Sequence, residues 1–160
     1  MSNPHESAGL ILKLYELRRE KKMRKARQWF GAQHFRSTQD VLEAARGKDN
    51  AYFRMVTSYW AMTAALVLHG GIDAPMFHDA NNEHVFVWAK LEPHIEEFRK
   101  AVNQPAFLKH LEGLIESMPD GRERVTLMQE RQRVAAAAAV VAAARVETPA
   151  AAPVAAGNRS

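Results

Sequence analysis

The chain has 160 residues, 47% hydrophobic and 25% charged, with a formal net charge of +4, a size that suits one hydrophobic core rather than two. It contains no cysteine, which excludes disulfides, thiolate metal sites, redox thiols and cysteine nucleophiles and fits the cytosol.

Residues 1–8 hold His5 and Glu6 but no basic run leading into an apolar stretch, so a flexible N-terminus without a secretory signal is expected. From residue 10 to residue 30 there is no proline and no glycine, and Leu10, Ile11, Leu14 and Leu17 recur at helical spacing. The spacing predicts one long first helix, closed by Gly31. Its apolar face moves partway along, from Leu10, Leu14 and Leu17 to Met23, Ala26 and Phe30, so the helix either bends or meets different neighbours at its two ends.

Eight of the 22 Lys and Arg residues lie within residues 1–27, against Glu6, Glu16 and Glu20. The positive excess therefore belongs to this one segment. Arg18, Arg19, Lys21, Lys22 and Lys25 are the candidate polyanion-binding residues, because clustered cations displace counterions from nucleic acid or attract an anionic surface. The competing reading is a solvated face neutralised by acids of neighbouring helices, such as Glu92, Glu96 and Glu97, since these cations form no single stripe. Trp29 and Phe30 close the segment and are the candidate residues for contact with a protein partner or with a second copy of the chain.

Ser37 or Thr38 is placed to cap a short helix ending at Gly47, with Asp40 in its first turn. Asp49 or Asn50 opens a third helix, lined by Tyr52, Val56, Tyr59, Trp60, Thr63, Leu66 and Val67 and expected to be the most buried. Its apolar run, residues 55–68, is too short to cross a bilayer and contains Thr57, Ser58 and Thr63. Gly70 and Gly71 end it. A turn with a brief helical piece near Pro75 follows, and then a fourth helix through Trp88, Leu91, Ile95, Phe98 and Val102, in which Pro93 demands a kink or a break.

Pro105 is expected to open a fifth helix with a stripe of Leu108, Leu111, Ile115 and Met118, ended by Pro119 and Gly121. Beyond it, residues 122–133 are helix-prone but offer few large apolar groups, and the alanine run after Val134 buries little per residue. From Thr148 the Ala/Pro/Gly composition reads as disordered. No stretch alternates with period two, so the expected fold is all-α. It would be an irregular antiparallel bundle of about five helices over residues 9–133, with an Ala/Pro-rich, partly disordered extension over residues 134–160.

Three motifs, Leu14-Tyr15-Glu16-Leu17-Arg18-Arg19-Glu20, Ala51-Tyr52-Phe53-Arg54-Met55-Val56-Thr57-Ser58-Tyr59-Trp60 and His69-Gly70-Gly71-Ile72-Asp73, resemble a family of small bacterial helical proteins of unknown function. The likeness would span residues 10–118. It implies a helical, mostly cytoplasmic protein and carries over no activity, cofactor or catalytic residue.

His78, Asp79, Glu83 and His84 crowd the turn before the fourth helix and are the one candidate metal set. They lack the His-Glu-x-x-His spacing, and a calcium loop begun at Asp79 would need glycine where His84 stands and an acid where Lys90 stands. No phosphate loop, nucleophile elbow or general acid/base pair is present either. The expectation is thus a cytoplasmic protein that is not an enzyme and needs no cofactor, acting through a protein partner or a homodimer. Polyanion or nucleic-acid binding stands second and a metal-dependent enzyme third.

Overall fold

The computed structural model describes residues 3–147. Among them every regular element is helical: α1 (Pro4–Arg19), α2 (Lys21–Ala32), α3 (Thr38–Arg46), α4 (Asn50–Leu68), α5 (Ala74–Ala80), α6 (Glu83–Leu91), α7 (Ile95–Ala101), α8 (Lys109–Ser117) and α9 (Gly121–Glu147), with one 3-10 turn, Glu92–His94, between α6 and α7. The all-α expectation holds, but nine α-helices replace the five expected. Two of the expected helices are each broken in two, and α5 and α9 are elements in their own right.

The first break falls at Glu20, whose backbone is extended (φ −56°, ψ 140°). Its carboxylate accepts the Met23 N–H at 3.0 Å and so caps the second helix at the point where the first ends. That break is what the drifting apolar face signalled: α1 buries Ser7 and Leu14, whereas α2 turns Met23, Ala26 and Phe30 inward. Helix begins at Pro4, inside the segment expected to be flexible, because Asn3 caps it and the Ser7 hydroxyl accepts the Asp73 N–H at 3.0 Å.

α4 is the central helix, as expected, packing against both α2 and α8. It buries Phe53, Val56, Trp60, Thr63, Ala64 and Val67. Leu66, assigned to its core stripe from spacing, is exposed instead. The helix stops at a Schellman turn in which Gly71 N–H reaches Leu66 O at 2.8 Å and Gly70 N–H reaches Val67 O at 2.9 Å. Gly70 supplies the positive φ of 73° that this closure requires.

Pro93 lies in the 3-10 turn between α6 and α7, so the proline breaks the expected fourth helix without reversing the chain. Pro105, in contrast, opens no helix. Asn103 and Leu108 take positive φ values of 52° and 57°, and α8 starts only at Lys109. Buried Arg99 holds the intervening turn, donating to Phe107 O at 2.9 Å and pairing with Glu96 at 2.6 Å and Glu112 at 2.9 Å. Phe53, Phe98 and Phe107 pack below it, with ring centroids 5.0–6.3 Å apart.

The first half of α9 lies along α6. Val125 is buried there, and glutamine side chains complete the contact, Gln129 donating to Ala89 O and Glu92 and Gln132 to Phe86 O. Residues 134–147 continue as helix with Val134, Val140, Val141 and Val146 exposed. The tail from Thr148, expected to be disordered, lies outside the described residues.

Candidate interaction surface

The basic segment is divided by the Glu20 corner into two populations. Arg18 and Arg27 turn inward and share Glu83: Arg18 Nη1 donates to it at 3.2 Å, and Arg27 binds it through Nε at 2.7 Å and through Nη2. The Arg18 guanidinium also lies over the Tyr15 and Trp60 rings. This internal pair withdraws Arg18 from the set of free cations, and the Glu83 carboxylate holds Arg27 above the usual arginine range.

Arg19, Lys21, Lys22 and Lys25 remain exposed; no salt bridge within 4 Å is formed by them among the described residues, and beside the backbone N–H groups of Lys22 and Met23 the charge of Lys22 helps hold the Glu20 carboxylate below its usual range. The acids proposed from sequence to neutralise them are engaged elsewhere: Glu92 with Arg122 and Gln129, Glu96 with Arg99, and Glu97 with Thr38.

Of the two candidate contact residues, Phe30 is buried and Trp29 is partly exposed. Phe30 is 1% exposed, packed on Phe35 and Phe53. Trp29 is half-buried against Tyr52 and donates its indole N–H to Asp49 at 3.2 Å. Both belong to the α2–α4 contact, because Met23, Ala26 and Phe30 face α4 and Trp29 sits on the flank of that face.

The apolar surface that is open lies on the other side of α4. Leu17, Met23, Met55 and Met62 line a valley of about 470 Å³ between the α1–α2 corner and α4, with Ser58 and Tyr59 in its wall and Glu20 at one end. Leu17 is 44% and Met62 47% exposed. Leu10, two turns before Leu17, and Leu66, one turn after Met62, are exposed on the same helix faces. Tyr59 fixes the valley floor by donating its hydroxyl to Leu14 O at 2.8 Å, which ties α1 to α4. Burial pushes that phenol up to about 12. Sequence reasoning missed the valley because Leu17 and Leu66 were counted as core, and nothing local distinguishes a methionine that faces a neighbour from one that faces water.

The residues of the candidate metal set are not assembled as ligands. Glu83 is occupied by the two arginines, and Asp79 is exposed. His84 is 0% exposed, packed among Trp60, Phe77 and His78, with both ring nitrogens unpartnered. Desolvation first, then the charges of His78 and Arg124, push its imidazole down to about 3, and His78 is shifted down for the same leading reason. No group of three or more His or carboxylate residues able to hold a metal occurs among the described residues.

Two other concavities are furnished by structural groups. One, about 560 Å³ beside α3, contains Asp40 and Asp49, which already serve the α3 capping box and the Trp29 indole. A second, about 350 Å³, borders Lys90, whose ammonium donates to Phe30 O, Gly31 O and Gln33 O at 3.0, 2.7 and 2.5 Å. Burial lowers this lysine to about 8, but its three donors are spent on the last carbonyls of α2 and none is left for a substrate.

Fold and surface together define an all-helical domain with an open apolar surface between the α1–α2 corner and α4. Residues 4–118 match the family described as domain of unknown function DUF4760, and the chain belongs to that family. Neither the curated proteins nor the solved structures contain a match.

Proposed function

We propose that this protein is a binding module that recruits a protein partner through the valley between the α1–α2 corner and α4. One observation carries the reading: Leu17 and Met62, 44% and 47% exposed, lie beside half-buried Met55 on one open apolar surface between the α1–α2 corner and α4. Methionine suits such a site, because its unbranched, polarisable side chain adapts to a guest at low strain. A clustered apolar opening on a charged face is the ordinary mark of an interaction site. In this reading the protein works in the cytosol as one domain over residues 9–133, and the absence of cysteine supports that compartment.

The test uses the dye anilinonaphthalenesulfonate, which brightens in apolar clefts. The folded protein is expected to enhance its emission, and Met62→Lys to abolish most of the enhancement with an unchanged circular dichroism spectrum. No enhancement, or one that survives the substitution, would overturn the valley as a binding site.

Polyanion binding remains the second reading, supported by the four exposed cations Arg19, Lys21, Lys22 and Lys25. It predicts retention of single-stranded RNA that weakens steeply with salt. RNA binding that persists unchanged in half-molar salt, or its absence at low salt, counts against it.

A further inference from the structure

α9 has two faces, and the fold uses one of them. Val125 is buried, and Gln129 and Gln132, on the same side of the helix, donate to backbone oxygens of α6. At about 100° per residue, Leu127, Val134 and Val141 fall on the opposite side. Each is seven residues from the next, and they are 54%, 60% and 53% exposed. An apolar line that repeats every seven residues is the seam along which one helix packs beside another. Ala137 and Ala138, exposed on its two flanks, are small enough to let a second backbone come close. Val140 and Val146 lie off the line.

The two ends of the line carry opposite charges. Glu123 stands one turn before Leu127 and Arg145 one turn after Val141, both exposed, and neither forms a salt bridge among the described residues. These positions are symmetric about Val134. A second α9 laid antiparallel, with a two-fold axis through Val134, sets Leu127 level with the second copy's Val141 and Glu123 level with its Arg145, and each match occurs twice. That self-complementarity is what a two-fold interface between identical chains requires. A parallel pair would instead set acid against acid at one end and arginine against arginine at the other. A bilayer suits the line less, because Glu123 and Glu130 stand on or beside it and its alanines gain little from hydrocarbon.

We propose that the protein pairs with a second copy of itself through an antiparallel α9–α9 contact centred on Val134, in which Leu127 meets Val141 and Glu123 meets Arg145. The contact is separate from the surface of Leu17, Met55 and Met62 and does not rest on binding there. From Glu123 to Arg145 it is about 33 Å long and one helix wide, at the small end of specific interfaces, so the dimer is a weak one.

The experiment is sedimentation equilibrium of the full chain at low salt. Between about 10 µM and about 1 mM protein the mass is expected to rise from 18.0 kDa toward twice that value. Val134→Glu, which sets two carboxylates on the axis, should raise the dissociation constant at least about tenfold with the circular dichroism spectrum unchanged. Arg145→Glu should weaken the dimer, and adding Glu123→Arg should restore it. Both reversals oppose the helix dipole, so an effect on helix stability alone would worsen in the double variant rather than recover. The chain contains no cysteine, so disulfide formation reads the direction of pairing. Leu127→Cys mixed with Val141→Cys should cross-link, and Leu127→Cys alone should not, because its two copies stand about 21 Å apart along the helix.

A chain that stays monomeric at about 1 mM overturns the proposal, whether or not it binds phosphatidylglycerol vesicles. So does a dimer that survives Val134→Glu, and so does one that is lost with Met62→Lys, which would move the contact to the other apolar surface. Cross-linking of Leu127→Cys with itself would show a parallel pair and overturn the register.

Discussion

At the scale of single residues, the side chains that look most reactive in the sequence are the ones most occupied in holding the fold. Glu83 is a metal-ligand candidate by its neighbours in sequence, but it serves Arg18 and Arg27 as a shared, four-fifths-buried anchor. Removing its charge would leave two guanidiniums short of a partner, so Glu83→Gln should destabilise the protein by about 1–3 kcal/mol in urea unfolding. A loss under about 0.5 kcal/mol would place the pair with weak surface ion pairs. His84 predicts a dependence on pH. Its imidazole titrates near 3 when folded against the ordinary 6.5 when unfolded. Between those values the unfolded chain binds the proton more readily, so stability is full above about pH 6.5 and falls as the pH drops toward 3. The slope is at most about 1.4 kcal/mol per pH unit from this group. His84→Leu, placed against Trp60 and Phe77, should flatten the acid limb of a melting-temperature profile, and an unchanged limb would show that His84 does not cause it.

At the scale of elements, two glycines separate a constraint from a convenience. A Cβ at Gly121 would lie 2.0 Å from the Ile115 carbonyl oxygen, so Gly121→Ala must move the start of α9 and should cost more than about 2 kcal/mol. Gly9 sits exposed inside α1 with nothing within 4 Å of a built Cβ. Gly9→Ala should therefore stabilise by up to about 1 kcal/mol, through helix propensity alone. Thermal denaturation of the two variants side by side checks both signs. The breaks between elements were unequally legible. Gly70-Gly71 and Pro93 announce themselves, because each acts on its own backbone. The Glu20 break has no such residue, only a rotation of the apolar face, and glutamate is a good helix former whose use as a cap depends on α2 already docking on α4. Pro105 misled for a related reason: a proline fits the first turn of a helix, yet here Arg99 and the Phe53, Phe98 and Phe107 cluster hold the chain in a turn until Lys109.

At the scale of the whole molecule, helical class, central position of α4 and concentration of positive charge at one end could all be read from periodicity and composition. The division of that charge could not, since it depends on Glu83 arriving beside Arg18 across 65 positions of sequence. The valley escaped for the same reason. Whether Leu17, Met55 and Met62 face protein or water is decided by where α1 turns into α2, a tertiary fact.

The length of α9 also bears on time as well as space. Its 27 residues form one continuous ladder, about 40 Å long, whose first half Gln129 and Gln132 clamp to α6. Amide hydrogens opposite that clamp can exchange only when α6 and α9 part, whereas those of residues 138–142 need no more than local fraying. Hydrogen exchange of the monomer should therefore show a single helix with two clocks, slow over residues 124–132 and faster over residues 138–142. Uniform protection along its length would mean that the exposed valines have found a partner of their own.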